Sequence, residues 1–182
     1  LRYFLRRGIP PFTRVLLVES GRRDLFEDLL PGIYRTHPNM QADLITCYGG
    51  LPQNFQPDRG AVYRVNDYPD ARARKKLYRL LADNHYTVVG IICSDEPIMA
   101  KWKWVLAARL PGKVFILNEN GDYFWLDRGH LSNVRHFILF RAGLTGAGAV
   151  RTLARLALFP FTLLYLILYA ATIHFRRRLR TL

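Results

Sequence analysis

Three polar residues, Ser94, Asp95 and Glu96, follow directly on the apolar run "VVGIIC" (88–93) and precede the helix-like "PIMAKWKWVLAARL". Two kinds of chemistry suit such a junction. A carboxylate just beyond a buried strand can hold ribose hydroxyls or a metal ion, because ligands of open parallel sheets bind outside the carboxyl ends of the strands. The same residues also make a good helix start: Ser or Asp accepts from the free N–H groups, an acid suits the positive dipole end, and Pro fits the first turn. The remaining candidates occupy equivalent places. Glu19, Ser20, Gly21 and Arg22 end or follow "RVLLVE", Gly49 and Gly50 follow "DLITCY", Asp67 follows "AVYRV", and Asn118 and Glu119 follow "KVFIL". Arg22 and Arg23 oppose the dipole of the helix they begin, and a bound phosphate or solvent relieves them equally. Turn preferences alone favour Gly, Asn, Asp and Ser at strand ends, so a ligand site and plain turn chemistry both remain open.

Several chemistries lack their residues. "ESGRRDLF" has one Gly where a dinucleotide loop has three, and no GxxxxGK[ST] is present. The two cysteines, Cys47 and Cys93, form no CxxC, and the five His are scattered, so no metal site is expected. Each Cys ends an apolar run, which implies two buried thiols in a reducing compartment. No Ser/His/Asp or Cys/His order stands out. Asp95, Glu96, Glu119 and Asp122 are the acids placed to converge, but their separation is not a sequence property.

The elements that must position these residues are five β-rich runs: "RVLLVE" (14–19), "DLITCY" (43–48), "AVYRV" (61–65), "TVVGIIC" (87–93) and "KVFIL" (113–117). Most lack polar alternation, as strands covered on both faces do. "DYFWL" (122–126) adds a short edge strand through the Asn120-Gly121 turn. Helical patterns lie between most of them. "RRDLFEDLLPGIYR" should end or kink at Pro31-Gly32. "PDARARKKLYRLLADN" groups Ala73, Leu77, Leu80 and Leu81, and the helix after Glu96 groups Ile98, Trp102, Val105 and Leu106, leaving Trp104 on the far side with Lys101 and Ala108. This alternation predicts one α/β domain over residues 13–126, with a mainly parallel sheet of about five strands. A basic arm (1–12) precedes it, with too short an apolar part for a signal peptide. An amphipathic and Gly-rich connector (127–150) and a membrane-anchoring segment (151–182) follow.

That last segment carries the clearest signal. Leu156–Phe175 is 20 residues without a formal charge, and a helix of that length spans about 30 Å, the thickness of a bilayer core. Arg155 precedes it, Arg176, Arg177 and Arg178 follow it, and Tyr165 and Tyr169 lie within it as candidate interfacial anchors. Pro160 opens the alternative of a broken helix that dips into one leaflet. The formal charge of +13 is concentrated at the ends: residues 1–14 carry four Arg and residues 135–182 eight, with no acid in either. The nearly neutral middle argues against nucleic acid as a partner and for an anionic membrane surface.

"TRVLLVESG", "YTVVGIICSDEP" and "GKVFILNENGDYFWLDRGH" together resemble the N-terminal Rossmann-like half of GT-B glycosyltransferases, the heptosyltransferase-like group in particular. The resemblance implies a Rossmann-like fold over residues 13–126. In that family the acceptor binds the N-terminal half and the nucleotide sugar mainly the C-terminal half. These 182 residues hold no second half, and the early glycine loop and acidic base find no matching positions, so no catalytic residue carries over. The expectation is a Rossmann-like accessory or scaffolding subunit, working with the lipid membrane and with other membrane-protein subunits. It needs no cofactor, and its domain faces the cytoplasm at the inner (cytoplasmic) membrane. The alternative is a glycosyltransferase-like enzyme that uses a nucleotide sugar and acts on a lipid-linked or membrane-surface acceptor.

Overall fold

Each of the five β-rich runs becomes a strand, four of them with buried residues on both faces and the third, Val62–Arg64, as a half-buried edge. The strands are β1 (Arg14–Glu19), β2 (Gln41–Thr46), β3 (Val62–Arg64), β4 (Val88–Cys93) and β5 (Lys113–Asn118). In this computed structural model, which describes residues 3–5, 8–94, 96–145 and 148–180, all five run parallel. A sixth strand, β6 (Tyr123–Trp125), pairs antiparallel with β5. The order is β3-β2-β1-β4-β5-β6, which is the Rossmann strand order with the last strand returned by a hairpin. That hairpin closes because Gly121 takes φ +81° and Asn118 Oδ1 accepts from the N–H groups of Asn120 and Asp122. β2 starts two residues before its apolar run, since Gln41 pairs opposite Arg14 at the first rung, and Cys47 and Tyr48 fall beyond its end.

Helix α1 (Arg23–Thr36) covers one sheet face with Phe26, Leu30 and Tyr34, over Val15, Leu17, Ala42 and Leu44. It continues through Pro31, so the first of the two outcomes expected there, an end to the helix, does not occur. Proline removes one internal hydrogen bond, and apolar anchors on both sides of it outweigh that loss. Gly90 is required on this face, because an added Cβ would lie 2.5 Å from the Phe115 ring.

Helices α2 (Ala71–Asp83) and α3 (Ala100–Arg109) belong to the opposite face, as right-handed crossovers from β3 to β4 and from β4 to β5 demand. The rings of Tyr78 and Trp102 meet between them, with centroids 5.4 Å apart. Asp70 caps α2 by accepting from Ala73 N–H at 2.7 Å. On α2 only Leu77 and Leu81 are buried, and Leu80 is 47% exposed. On α3 the buried set is Lys103, Leu106 and Ala107, with Trp102 and Val105 half-buried. The helix starts at Ala100 rather than at Glu96, so its inward face differs from the one its apolar spacing suggested. Trp104 does point outward, at 44% exposure.

By residue contacts the chain divides into Leu1–Leu131 and Ser132–Leu182. The basic arm belongs to the first unit instead of standing apart. Phe4 C=O accepts from Arg128 N–H, and Gly8 C=O accepts from Lys113 Nζ at 2.9 Å. The stretch read as a connector contains helix α4 (Leu131–Arg141), and α5 (Gly148–Arg180) begins within it. Helix α5 runs unbroken through Pro160. Its segment Ala149–His174 has a mean hydropathy of 2.1 and none of its apolar window buried, which makes it a candidate membrane span. Arg155, Tyr165, Tyr169 and Arg176 are all exposed on it, and the side chains of Arg177 and Arg178 lie outside those described.

Candidate functional site

The sheet reverses direction between β1 and β4, and the carboxyl ends of these two strands frame the crevice where a Rossmann-like sheet takes its ligand. Glu19 is the last residue of β1 and is fully buried. Its carboxylate accepts from Arg23 Nε at 2.6 Å and Nη2 at 3.2 Å, and from the Thr46 hydroxyl of β2. Arg23 completes its own contacts with Gly49 C=O at 3.1 Å and the Tyr48 ring at 4.9 Å. The hydrogen bond to Glu19 raises the Arg23 pKa, and the guanidinium is held against this buried counter-charge.

The next two residues close the gap between the strands. Ser20 Oγ donates to Ile92 C=O of β4 at 2.7 Å, and Lys103 Nζ reaches Ser20 C=O at 3.5 Å from α3. Gly21 C=O accepts from Tyr48 O–H at 2.9 Å. An added Cβ on Gly21 would sit 2.6 Å from both Ile92 Cγ2 and Ser94 Oγ, so the loop after β1 lies directly on the end of β4. Ser94, 3% exposed, accepts from Arg22 N–H at 3.2 Å. That amide, at the N-terminus of α1, is one that a phosphate would use in a nucleotide site. The Arg22 side chain points outward and pairs with Asp24.

Ser94, Asp95 and Glu96 were read as either a ligand site or a helix cap, and the cap is corrected. Helix α3 begins only at Ala100, preceded by Met99 in the left-handed region at φ 49°, with no side-chain cap. The Ser94 hydroxyl is drawn away to α1, where it satisfies a free amide on another element. Asp95 lies outside the described residues, and Glu96 is exposed.

The structure thus brings Glu19, Ser20, Gly21, Arg22, Gly49 and Ser94 into one hydrogen-bonded cluster. The other candidates serve elsewhere. Gly50, at φ +72°, turns an exposed loop. Asp67 ends an exposed 3-10 turn beyond β3. Asn118 holds the β5–β6 turn, and Glu119 beside it is half-buried. Among the described residues no group of three or more His, Cys, Asp or Glu is placed to hold a metal ion. Cys93 is buried as expected, whereas Cys47, just past the end of β2, is only half-buried; neither is in a disulfide, and burial pushes the Cys47 thiol pKa up.

Two buried polar clusters escaped the sequence reading. Asp43 on β2 takes hydrogen bonds from Ala61 N–H, Asn84 Nδ2 and the Tyr86 hydroxyl. Burial, with the Asp43 carboxylate beside it, drives the Tyr86 pKa far up. At the start of β5, Lys113 Nζ and Asp127 form a fully buried ion pair at 2.7 Å, with His130 Nδ1 at 2.8 Å from Asp127. Burial alone would raise the Asp127 pKa, but hydrogen bonds from Lys113 and His130 outweigh it and hold the carboxyl at about 2. Each cluster joins segments far apart in the chain, and periodicity carries no signal of that.

A cavity of about 340 Å³ lies toward the amino ends of the strands, lined by Phe12, Leu29, Ile33, His37, Phe115 and Trp125 among others. It opens where α1 alone covers its face, because the β5–β6 hairpin supplies no crossover helix. It is apolar and lies away from the switch point between β1 and β4. Comparison with protein-family models, with curated proteins and with solved structures gave no match to this chain.

Proposed function

We propose that this chain is a membrane-anchored, Rossmann-like accessory or scaffolding subunit of a membrane protein complex, without catalysis of its own. One observation carries the reading: the crevice between β1 and β4 is filled by the protein's own hydrogen bonds. Ser20 bonds Ile92, Ser94 takes the amide of Arg22 just before α1, and Arg23 neutralises Glu19. A nucleotide would have to break these contacts and separate a buried ion pair, which is a large penalty. The exposed apolar segment Ala149–His174 supports the membrane anchor. Cys47 and Cys93, outside any disulfide, are in keeping with a domain on the cytoplasmic side of the inner membrane.

The test uses the full chain in mild detergent, titrated calorimetrically with nucleotide sugars and free nucleotides, beside cross-linking in intact membranes of producing cells. The expected result is no saturable nucleotide binding, and a discrete cross-linked complex larger than the monomer. Saturable nucleotide-sugar binding that Glu19→Gln abolishes would overturn the proposal in favour of a glycosyltransferase-like enzyme. Monomer alone after cross-linking would overturn the subunit reading.

A further inference from the structure

We infer that the outer face of α2 and α3 is the surface by which the domain lies against anionic lipid headgroups, a reading that rests on the membrane anchor proposed above. Between its cap Asp70 and its last residue Asp83, α2 carries no acid. Arg72, Lys75, Lys76 and Arg79 follow one another at helical spacing and are all exposed, opposite the buried Leu77 and Leu81. A merely solvated helix face mixes both signs and gains from i,i+4 ion pairs. Here Arg72/Lys76 and Lys75/Arg79 are like-charged i,i+4 pairs, and no ion pair engages any of the four among the described residues. Such a stripe opposes helix stability unless something negative faces it.

Helix α3 packs alongside and extends the pattern. It has no acid from Ala100 to Arg109, and it exposes Lys101 and Trp104. Cations beside an exposed Trp match a membrane interface, where the indole sits at headgroup level and Lys and Arg meet acidic lipid. Residues 15–134 hold 15 Lys and Arg against 14 acids, and α2 and α3 carry eight of those cations with one acid, so the positive charge is gathered on these helices instead of being spread. The backbone of a nucleic acid offers the same negative charge. The covalent link to a candidate span favours lipid, because a tethered domain meets the nearest membrane at high effective concentration.

The experiment places the full chain in nanodiscs of phosphatidylcholine alone or mixed with phosphatidylglycerol, each containing a lipid with a headgroup nitroxide quencher. Trp104→Phe separates the fluorescence of Trp104 from that of Trp102 and Trp125. The expected result is quenching of Trp104 in the mixed discs only. It should be lost at high salt and in the variant Arg72→Gln/Lys75→Gln/Lys76→Gln/Arg79→Gln, whose melting temperature should equal or slightly exceed the parent's, because all four side chains are exposed and their mutual repulsion is removed. Equal quenching in neutral discs, quenching that survives the fourfold variant, or none at all would overturn the inference. Binding of an oligonucleotide that the variant loses, without quenching in the mixed discs, would reassign the surface to nucleic acid and overturn it too. A chain that fails to enter the discs refutes the membrane anchor separately. The lipid face is then decided by sedimentation with anionic vesicles, which the parent must bind and the fourfold variant must not.

Discussion

Gly21→Ala tests whether the crevice between β1 and β4 is closed in solution. Gly21 does not sit in the left-handed region, so alanine brings no backbone strain and the whole effect is steric. The new Cβ would lie 2.6 Å from Ile92 Cγ2, 2.6 Å from Ser94 Oγ and 3.2 Å from Ser94 Cβ. The Ser94 hydroxyl can rotate away only by giving up the Arg22 amide, and the Ile92 methyl branches at Cβ within a buried strand. Overpacking of this kind typically costs about 1–3 kcal/mol, and the orphaned amide adds to it. For a chain of this length that lowers the melting temperature by roughly 2–12 °C. Gly49→Ala in the neighbouring loop is the control: nothing lies within 4 Å of its added Cβ, so it should melt like the parent or slightly above. The assay is thermal unfolding of both variants in one mild detergent, followed by tryptophan fluorescence. Equal melting temperatures for Gly21→Ala and Gly49→Ala would refute the closed crevice, and with it the main support for a non-catalytic role.

Other consequences are open to measurement. Asp127→Asn should destabilise the chain by about 3–5 kcal/mol in denaturant titration, because it leaves the buried Lys113 ammonium without a counter-charge. In the parent, the Asp127 carboxyl held at about 2 contributes roughly 2 kcal/mol, present in full above about pH 5 and lost as pH falls through 2; Asp127→Asn should flatten that part of the stability profile. At mildly alkaline pH, iodoacetamide should modify Cys47 more slowly than an exposed thiol and Cys93 only on unfolding, so rapid labelling of Cys93 in folded protein would contradict its place in β4. Removing residues 151–182 should leave the rest of the chain in the soluble fraction after a high-salt wash; persistence on the membrane would refute a single anchor.

Local pattern was enough for the framework. Apolar β-branched runs of five to seven residues located every parallel strand to within two positions, because the inner strands are covered on both faces and have no polar side to hide. Twenty uncharged residues marked the candidate span by length alone. Helix faces were less legible. The Ser94 hydroxyl does not cap α3, which starts at Ala100, and its partner, the Arg22 amide, is 72 residues away. Lys103 lies inward with its ammonium reaching Ser20 C=O, and no apolar spacing signals a buried cation there.

The candidate site shows the same division. Sequence placed Glu19, Ser20, Gly21, Arg22 and Ser94 at the carboxyl ends of strands, where either a ligand or a turn is served by those residue types. The fold alone decided that Glu19 turns inward to Arg23 and Thr46, and that Gly21 is pressed against Ile92 and Ser94. Propensity and periodicity are set by neighbours within a few residues, whereas closing a crevice depends on which strands become adjacent. The adjacency of β1 and β4 across more than seventy residues is a property of the packed sheet, and it is what separates a closed joint from an open binding site.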